Sequence, residues 1–209
     1  MKKHSAVWLL ASVLSVSSGI CVGVTVAVRN AGTAPLLDMV ATLQAAGPHP
    51  SLADHANDLG RLVGTWDVEY TDFAKDGKVI HHTGEFIVGW VMDGRAIQDL
   101  WIVYPSGTRK DREVYTDLHC FDSKSGTWRA SFVDPENGSI LRFTGGAVAD
   151  DRFVLETQDN NNKEMRWSFN DIRPDSFVWR NEASSDGGKT WRLQGEDHMK
   201  RRAAASSAQ

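Results

Sequence analysis

The 209-residue chain predicts an all-β fold: an antiparallel up-and-down barrel of about ten strands, preceded by one or two short N-terminal helices. Three observations carry that prediction. From Gly64 to Arg201 the chain is a run of β-type segments at a spacing of about a dozen residues, each ended by a Gly, Asp, Asn or Ser turn. Apolar and polar residues alternate with period two through most of these segments. The connections are too short for crossover helices, so sequence neighbours pair antiparallel. A long meander of this kind has two bare edges unless it closes on itself, and a closed sheet of this many strands has room for a small ligand.

The elements follow in order. Lys2, Lys3 and His4 precede an uncharged stretch from Ala6 to Val28, which Arg29 ends. A basic start and an apolar run form an export signal, and at ~20 residues the run is also long enough to cross a bilayer. Residues 1–28 are therefore expected to be a signal peptide or membrane anchor, with Thr25-Val26-Ala27 as a cleavage candidate and Ser18-Gly19-Ile20-Cys21 as a loose lipobox. Each option puts the following domain outside the cytoplasm, in the periplasm or on a membrane. Residues 29–50 read as a linker with a short helix, because Leu36, Met39, Val40 and Leu43 fall on one helical face. Gly47-Pro48-His49-Pro50 breaks it. Ser51 offers an N-cap for a second short helix whose Leu52, Ala56, Leu59 and Leu62 share a face. The barrel domain is expected over 51–202, with strands near 65–73, 78–91, 94–104, 112–121, 127–134, 139–145, 151–157, 164–170, 175–183 and 189–200. Residues 203–209 form a small polar tail expected to be disordered.

Composition narrows the partners. Formal net charge is −4 with 24% charged residues, and no basic stripe interrupts the β-rich part, so nucleic acid is not expected. Membrane contact is expected only through residues 6–28, if they are retained. Cys120 is left as a single thiol if Cys21 is removed, which excludes a disulfide framework and a cysteine metal site. Of the eight tryptophans, all but Trp8 lie beyond residue 64. Such large amphipathic rings favour a broad aromatic interior.

Alternation assigns one face to Trp66, Val68 and Tyr70, then to Trp128 and Phe132, Leu141 and Phe143, Met165 and Trp167, Phe177 and Trp179, and Trp191 and Leu193. The opposite faces carry Arg129, Arg142, Arg166, Arg180 and Arg192 among carboxylates. The simpler reading is an outer wall of cross-strand charge pairs, each contributing ~0.2–1 kcal/mol. The sharper one turns an arginine inward to hold an anionic head group.

Ser184 to Trp191 satisfies the Asp-box pattern S-x-D-x-G-x-T-W, which reads as a stapled hairpin and not as a sialidase repeat. His81 and His82 point to opposite faces; no H-x-H or H-E-x-x-H spacing occurs, so no metal or other cofactor is expected. His82, His119 and His198 are lone wall histidines. Asp99, Glu85, His119 and Glu182 are acid/base candidates without a catalytic signature around them. Asn137-Gly138 reads as a type I′ hairpin turn in preference to a glycosylation site.

Gly64-Thr65-Trp66, opening the first strand after a short helix, resembles the G-x-W signature of lipocalins. That resemblance implies a tryptophan plugging the closed end, with Arg180, Arg192, Arg201 or Arg202 stacked on it. Leu62 to Trp66, Met92 to Gln98, Phe143 to Gly146, and Phe177 to Arg180 leading into Ser185 to Trp191 together resemble a bacterial family of lipocalin-like (calycin) domains of unknown function. The resemblance spans about residues 58–202 and implies a barrel but no activity.

The expected function is an exported barrel that holds a small hydrophobic or amphipathic molecule, as carrier or sensor. Trp66, Tyr70, Phe86, Trp128, Phe143, Trp167 and Trp179 are expected to line or floor the cavity, with Arg142 or Arg180 as polar anchor. Two alternatives stand beside it: an isomerase, cyclase or hydratase on the same scaffold, or a filled barrel that acts as an interaction module. A filled core excludes a container. An open pocket with one perturbed acid/base group favours the enzyme.

Overall fold

The computed structural model describes residues 34–107, 109–158 and 164–203; side chains of 34–37 and 158 are excluded. The expected signal or anchor, the 29–33 stretch and the 204–209 tail lie outside the described residues. No helix among the described residues is long and apolar enough to cross a membrane.

Ten strands follow helices α1 (Ala34–Leu43) and α2 (Ala56–Gly60): β1 (Gly64–Phe73), β2 (Val79–Val91), β3 (Ala96–Val103), β4 (Glu113–Asp122), β5 (Thr127–Asp134), β6 (Ser139–Ala149), β7 (Arg152–Gln158), β8 (Glu164–Asn170), β9 (Ser176–Ser184) and β10 (Arg192–Arg201). Every neighbour in sequence pairs antiparallel, and β1 pairs with β10, so the sheet closes into an up-and-down barrel. Closure leaves no edge strand to aggregate.

One end is shut. Leu52, Leu59 and Leu62, from the helical segment before β1, are buried there with Trp66, Trp128 and Phe153. The Trp66 indole N–H donates to the Leu62 carbonyl at 2.8 Å. Arg201 lies 3.9 Å over the Trp66 ring and donates to the carbonyls of Val63 and Arg61, each at 2.7 Å. The last strand is thereby tied to the chain entering the first. Of the four arginines considered for this stack, Arg201 occupies it.

The helical segment differs from expectation. Ala53 has φ 47°, which kinks the 3-10 segment Pro50–His55 in its middle, before α2 begins at Ala56. The cap is His49, whose Nδ1 accepts from the Ser51 N–H at 3.1 Å, and not Ser51. Met39 and Val40 of α1 are exposed, so that apolar face is not buried at those positions.

Two glycines explain close approaches. A Cβ on Gly84 would stand 1.8 Å from the Ile102 carbonyl oxygen, so only glycine allows β2 and Tyr70 to pack there. Gly94 has φ +76° and meets the Gly47 carbonyl just as closely, which lets the segment before the barrel lie on the β2–β3 turn. The 137–138 turn is not type I′: Gly138 has positive φ but Asn137 does not, and the Asp134 side chain accepts from the Asn137 N–H at 3.1 Å.

Charges line the outside, as the simpler reading expects. Arg129 pairs with Asp122, Arg166 with Glu156 and Arg180 with Glu196, each at 2.7 Å. The β10 register shifts between Leu193 and Gly195. Beyond that bulge Gly195, Asp197 and Met199 face inward, while Trp191 stays out of the buried cluster beneath Arg166, 3.9 Å from its ring.

Candidate ligand site

The barrel opens at the end opposite Trp66. There a cavity of about 280 Å³ lies between the late part of β1, the starts of β2, β4, β6 and β8, and the ends of β3 and β5. Its walls are aromatic: Trp101, Tyr115, Phe132, Trp167 and Trp179, with Leu141 and Met165. The rings support one another. Trp101 and Trp179 have centroids 5.0 Å apart, Trp167 and Trp179 5.5 Å, and Phe132 stands edge-on to Trp167 at 5.1 Å.

Three of the lining residues carry unpaired polar atoms: Trp167 Nε1, Trp179 Nε1 and Asn181 Oδ1 are buried and have no hydrogen-bond partner among the described residues. A buried donor without an acceptor costs about 1–3 kcal/mol, so such groups are rare in a protein interior. Arg109, from the β3–β4 loop, lies at the cavity and faces Glu113 as an ion pair, with no aligned hydrogen bond to its buried Nη1. Wider concavities of about 470, 440 and 430 Å³ lie elsewhere, and none is lined by an unpartnered buried atom.

Titratable groups also reach the cavity. Asp197 sits between Tyr70 and Trp179 in register and is buried. Burial raises its pKa well above the ordinary carboxylate value, against a weak hydrogen bond from the Thr71 N–H at 3.4 Å. Burial thus favours its neutral form over the carboxylate. Burial, with Arg109 nearby, lowers the His82 pKa, so that ring is a neutral base. His82 Nδ1 is 2.7 Å from Ser106 Oγ. The Tyr70 hydroxyl donates to the Ile102 carbonyl at 3.2 Å, and burial raises its pKa far beyond reach of titration.

The structure distributes the residues singled out from sequence. Tyr70, Trp167 and Trp179 line the cavity. Phe143 is buried and stacks on Trp167 at 3.9 Å, and Phe86 packs against Trp101 at 4.2 Å; both support the walls from behind. Trp66 and Trp128 belong to the shut end, where the Trp128 indole N–H donates to Asp58 at 2.9 Å. Arg142 is exposed, next to inward Leu141 and Phe143, and Arg180 is engaged with Glu196; neither lines the cavity, whereas Arg109 does. Sequence reasoning missed Arg109 because it lies on a loop, where periodicity is silent. It also missed Asp197, although Asp197 and Met199 share a face two residues apart.

Of the acid/base candidates, Glu85 lies outside, held by Tyr104 at 2.5 Å and Arg202 at 2.9 Å. Glu182 does not line the cavity. His198 is exposed beside Glu196. Asp99 and His119 are buried together with Asp117, one step deeper than the Trp101–Tyr115 pair that lines the cavity. His119 Nε2 is 2.8 Å from Asp99 Oδ2.

Comparison with known proteins finds no matching family model and no matching curated relative. Solved structures do match. Rv2717c from M. tuberculosis superposes with a TM-score of 0.56 at 14% identity, over 75% of this chain and 99% of that one. An S-type phycobiliprotein lyase, CPES from Guillardia theta, superposes with a TM-score of 0.50 at 11% identity, over 70% of this chain and 92% of that one. At these identities the likeness concerns the fold, which is a closed ten-strand antiparallel barrel of lipocalin-like type.

Proposed function

We propose that the chain binds one small, largely apolar molecule in the barrel mouth, as a carrier or sensor. The observation that carries this reading is a largely aromatic pocket whose lining residues Trp167, Trp179 and Asn181 keep polar atoms (Nε1, Nε1 and Oδ1) without a hydrogen-bond partner among the described residues. The volume of about 280 Å³ is near the lower end of ligand pockets, roughly 300–1,000 Å³, and favours a compact guest. The guest carries an oxygen acceptor for the indole N–H groups and, where it is acidic, turns its anionic end towards Arg109. Each neutral hydrogen bond so formed adds about 0.5–1.5 kcal/mol, and one to the guanidinium about 1.5–3 kcal/mol. The likeness in fold to an S-type phycobiliprotein lyase is compatible with a small-molecule guest. The N-terminal Lys-Lys-His and apolar run supports export of the domain, a reading tested by fractionating cells of the host.

A second reading has its own observation. Asp197 and His82 both line the cavity, with pKa values displaced in opposite directions, the first raised and the second lowered chiefly by burial. Such a pair is suited to moving a proton on a bound molecule, as an isomerase or hydratase does. A cavity of this size argues against the filled-barrel module.

Native mass spectrometry of the chain purified from its host tests the first reading. A reproducible small molecule bound one to one supports it. Clean apo-protein whose tryptophan fluorescence ignores oleate and 1-naphthoate counts against it. If a molecule is found and the protein converts it, and the D197N variant binds but no longer converts, the second reading replaces the first.

A further inference from the structure

We propose that Asp99, Asp117 and His119 form a binding site for one divalent metal ion of the zinc or manganese type, inside the barrel and deeper than the cavity. Each of the three offers one donor atom, and the three atoms lie within 4.8 Å of one another. His119 Nε2 and Asp99 Oδ2 are 2.8 Å apart. Two ligands on one ion, each bonded at about 2.0–2.2 Å, stand about 3 Å from each other, so this spacing already suits a shared ion.

The surroundings are organised as they are around metal ligands. The Asp117 backbone N–H donates to Asp99 Oδ1 at 3.1 Å, and the Trp101 indole N–H donates to Asp117 Oδ2 at 3.3 Å. Each carboxylate therefore has one oxygen fixed by an N–H donor, which orients the other. That other oxygen of Asp117, Oδ1, is buried and has no partner among the described residues. Asp99, Asp117 and His119 are each 2% exposed.

Charge gives the second argument. Two carboxylates are buried together, and among the described residues no Lys or Arg forms a salt bridge with either. Buried charge is kept only where it is paired or coordinates a metal, or else the group takes up a proton. A divalent cation neutralises both carboxylates and takes the neutral imidazole as a third ligand. Two oxygens and one nitrogen without a thiol fit zinc, manganese or ferrous iron better than copper(I). The sequence expectation of no metal rested on the lack of histidine pairs. The donors here come from Asp117-Leu118-His119, whose outer members share a strand face, and from Asp99 opposite Asp117 on β3.

The test uses the full chain, unfolded with a chelator and refolded with Zn²⁺ or Mn²⁺ alone. Bound metal per chain is then counted by mass spectrometry after gel filtration. The same count on protein expressed in medium enriched in each metal requires no refolding. The expected result is about one ion per chain, with D117N and H119Q each reducing affinity at least about tenfold, while E156Q on the outer wall leaves it unchanged. Refolding with Co²⁺ is expected to give visible d–d absorption from the wild-type chain. Folded wild-type protein with well under one ion per chain by both routes and no cobalt bands would overturn the proposal, as would D117N and H119Q variants that bind as the parent does.

Discussion

The same substitution, Trp to Phe, is predicted to have different consequences at the two ends of the barrel. At the shut end, W66F removes the N–H bond to Leu62 and part of a fully buried ring, while an aromatic face stays beneath Arg201. The lost neutral hydrogen bond is about 0.5–1.5 kcal/mol and the space left by the smaller ring about 1–3. W66F is therefore expected to cost about 2–4 kcal/mol. At the mouth, W179F also loses ring volume, but it removes an N–H with no partner. Relief of that unsatisfied donor, about 1–3 kcal/mol, offsets the packing loss, and the apo-protein changes by less than about 1 kcal/mol. Urea unfolding followed by far-UV circular dichroism measures both, with the slope of the transition checking that the unfolded state is unchanged. The reasoning is refuted if W66F is near neutral, or if W179F destabilises the apo-protein as much as W66F does.

Further expectations follow from single features. Asp197 has a raised pKa when folded, so below the unfolded carboxylate value, about 4, both states are protonated. As pH rises above that value the unfolded state ionises first, and stability falls until the folded pKa is reached. D197N is expected to flatten the decline in melting temperature from pH 5 to 7, and an unchanged slope would contradict the assignment. G84A places a Cβ against the Ile102 backbone and is expected to cost at least about 2 kcal/mol, whereas G89A, with nothing within 4 Å, is tolerated; equal melting temperatures would refute this. Asp186 is held at a pKa of about 2, chiefly by the Thr190 hydroxyl and N–H and by Ser184. D186A is expected to speed amide exchange at Gly188, Lys189 and Thr190 while leaving the barrel strands protected, and uniform exchange throughout would contradict a local role.

Much of the fold was legible because a barrel wall repeats one local rule. Period-two alternation placed each strand to within a few residues, and the Asp-box explains why β10 starts at Arg192 and not at 189: the motif's hydrogen bonds take up the chain to Trp191. Where alternation failed, a backbone irregularity intervened. The shift between Leu193 and Gly195 moved Trp191 out of the interior set. The cap at His49 and the break at Ala53 depend on contacts with the β2–β3 turn that no local pattern encodes, such as the His49 N–H to Gly94 at 2.9 Å.

The site was legible in part. Tyr70, Trp167 and Trp179 follow from the pattern, and Trp66 at the shut end from the G-x-W resemblance, but the depth of other residues along the barrel axis, such as Trp128, does not. Depth is set by strand stagger, and stagger is fixed by cross-strand register. The Asp99–Asp117 pairing likewise follows from hairpin register, whereas the Asp-x-His spacing on β4 was visible without it.

The most direct test of the container is a ¹H–¹⁵N spectrum of the tryptophan indoles, recorded on protein from its host and again after solvent extraction and refolding. The Trp167 and Trp179 signals are predicted to move when the guest is removed, while those of Trp66 and Trp128, whose donors are already engaged by Leu62 and Asp58, stay in place. Two superimposable spectra, with no small molecule in the extract, would contradict the account.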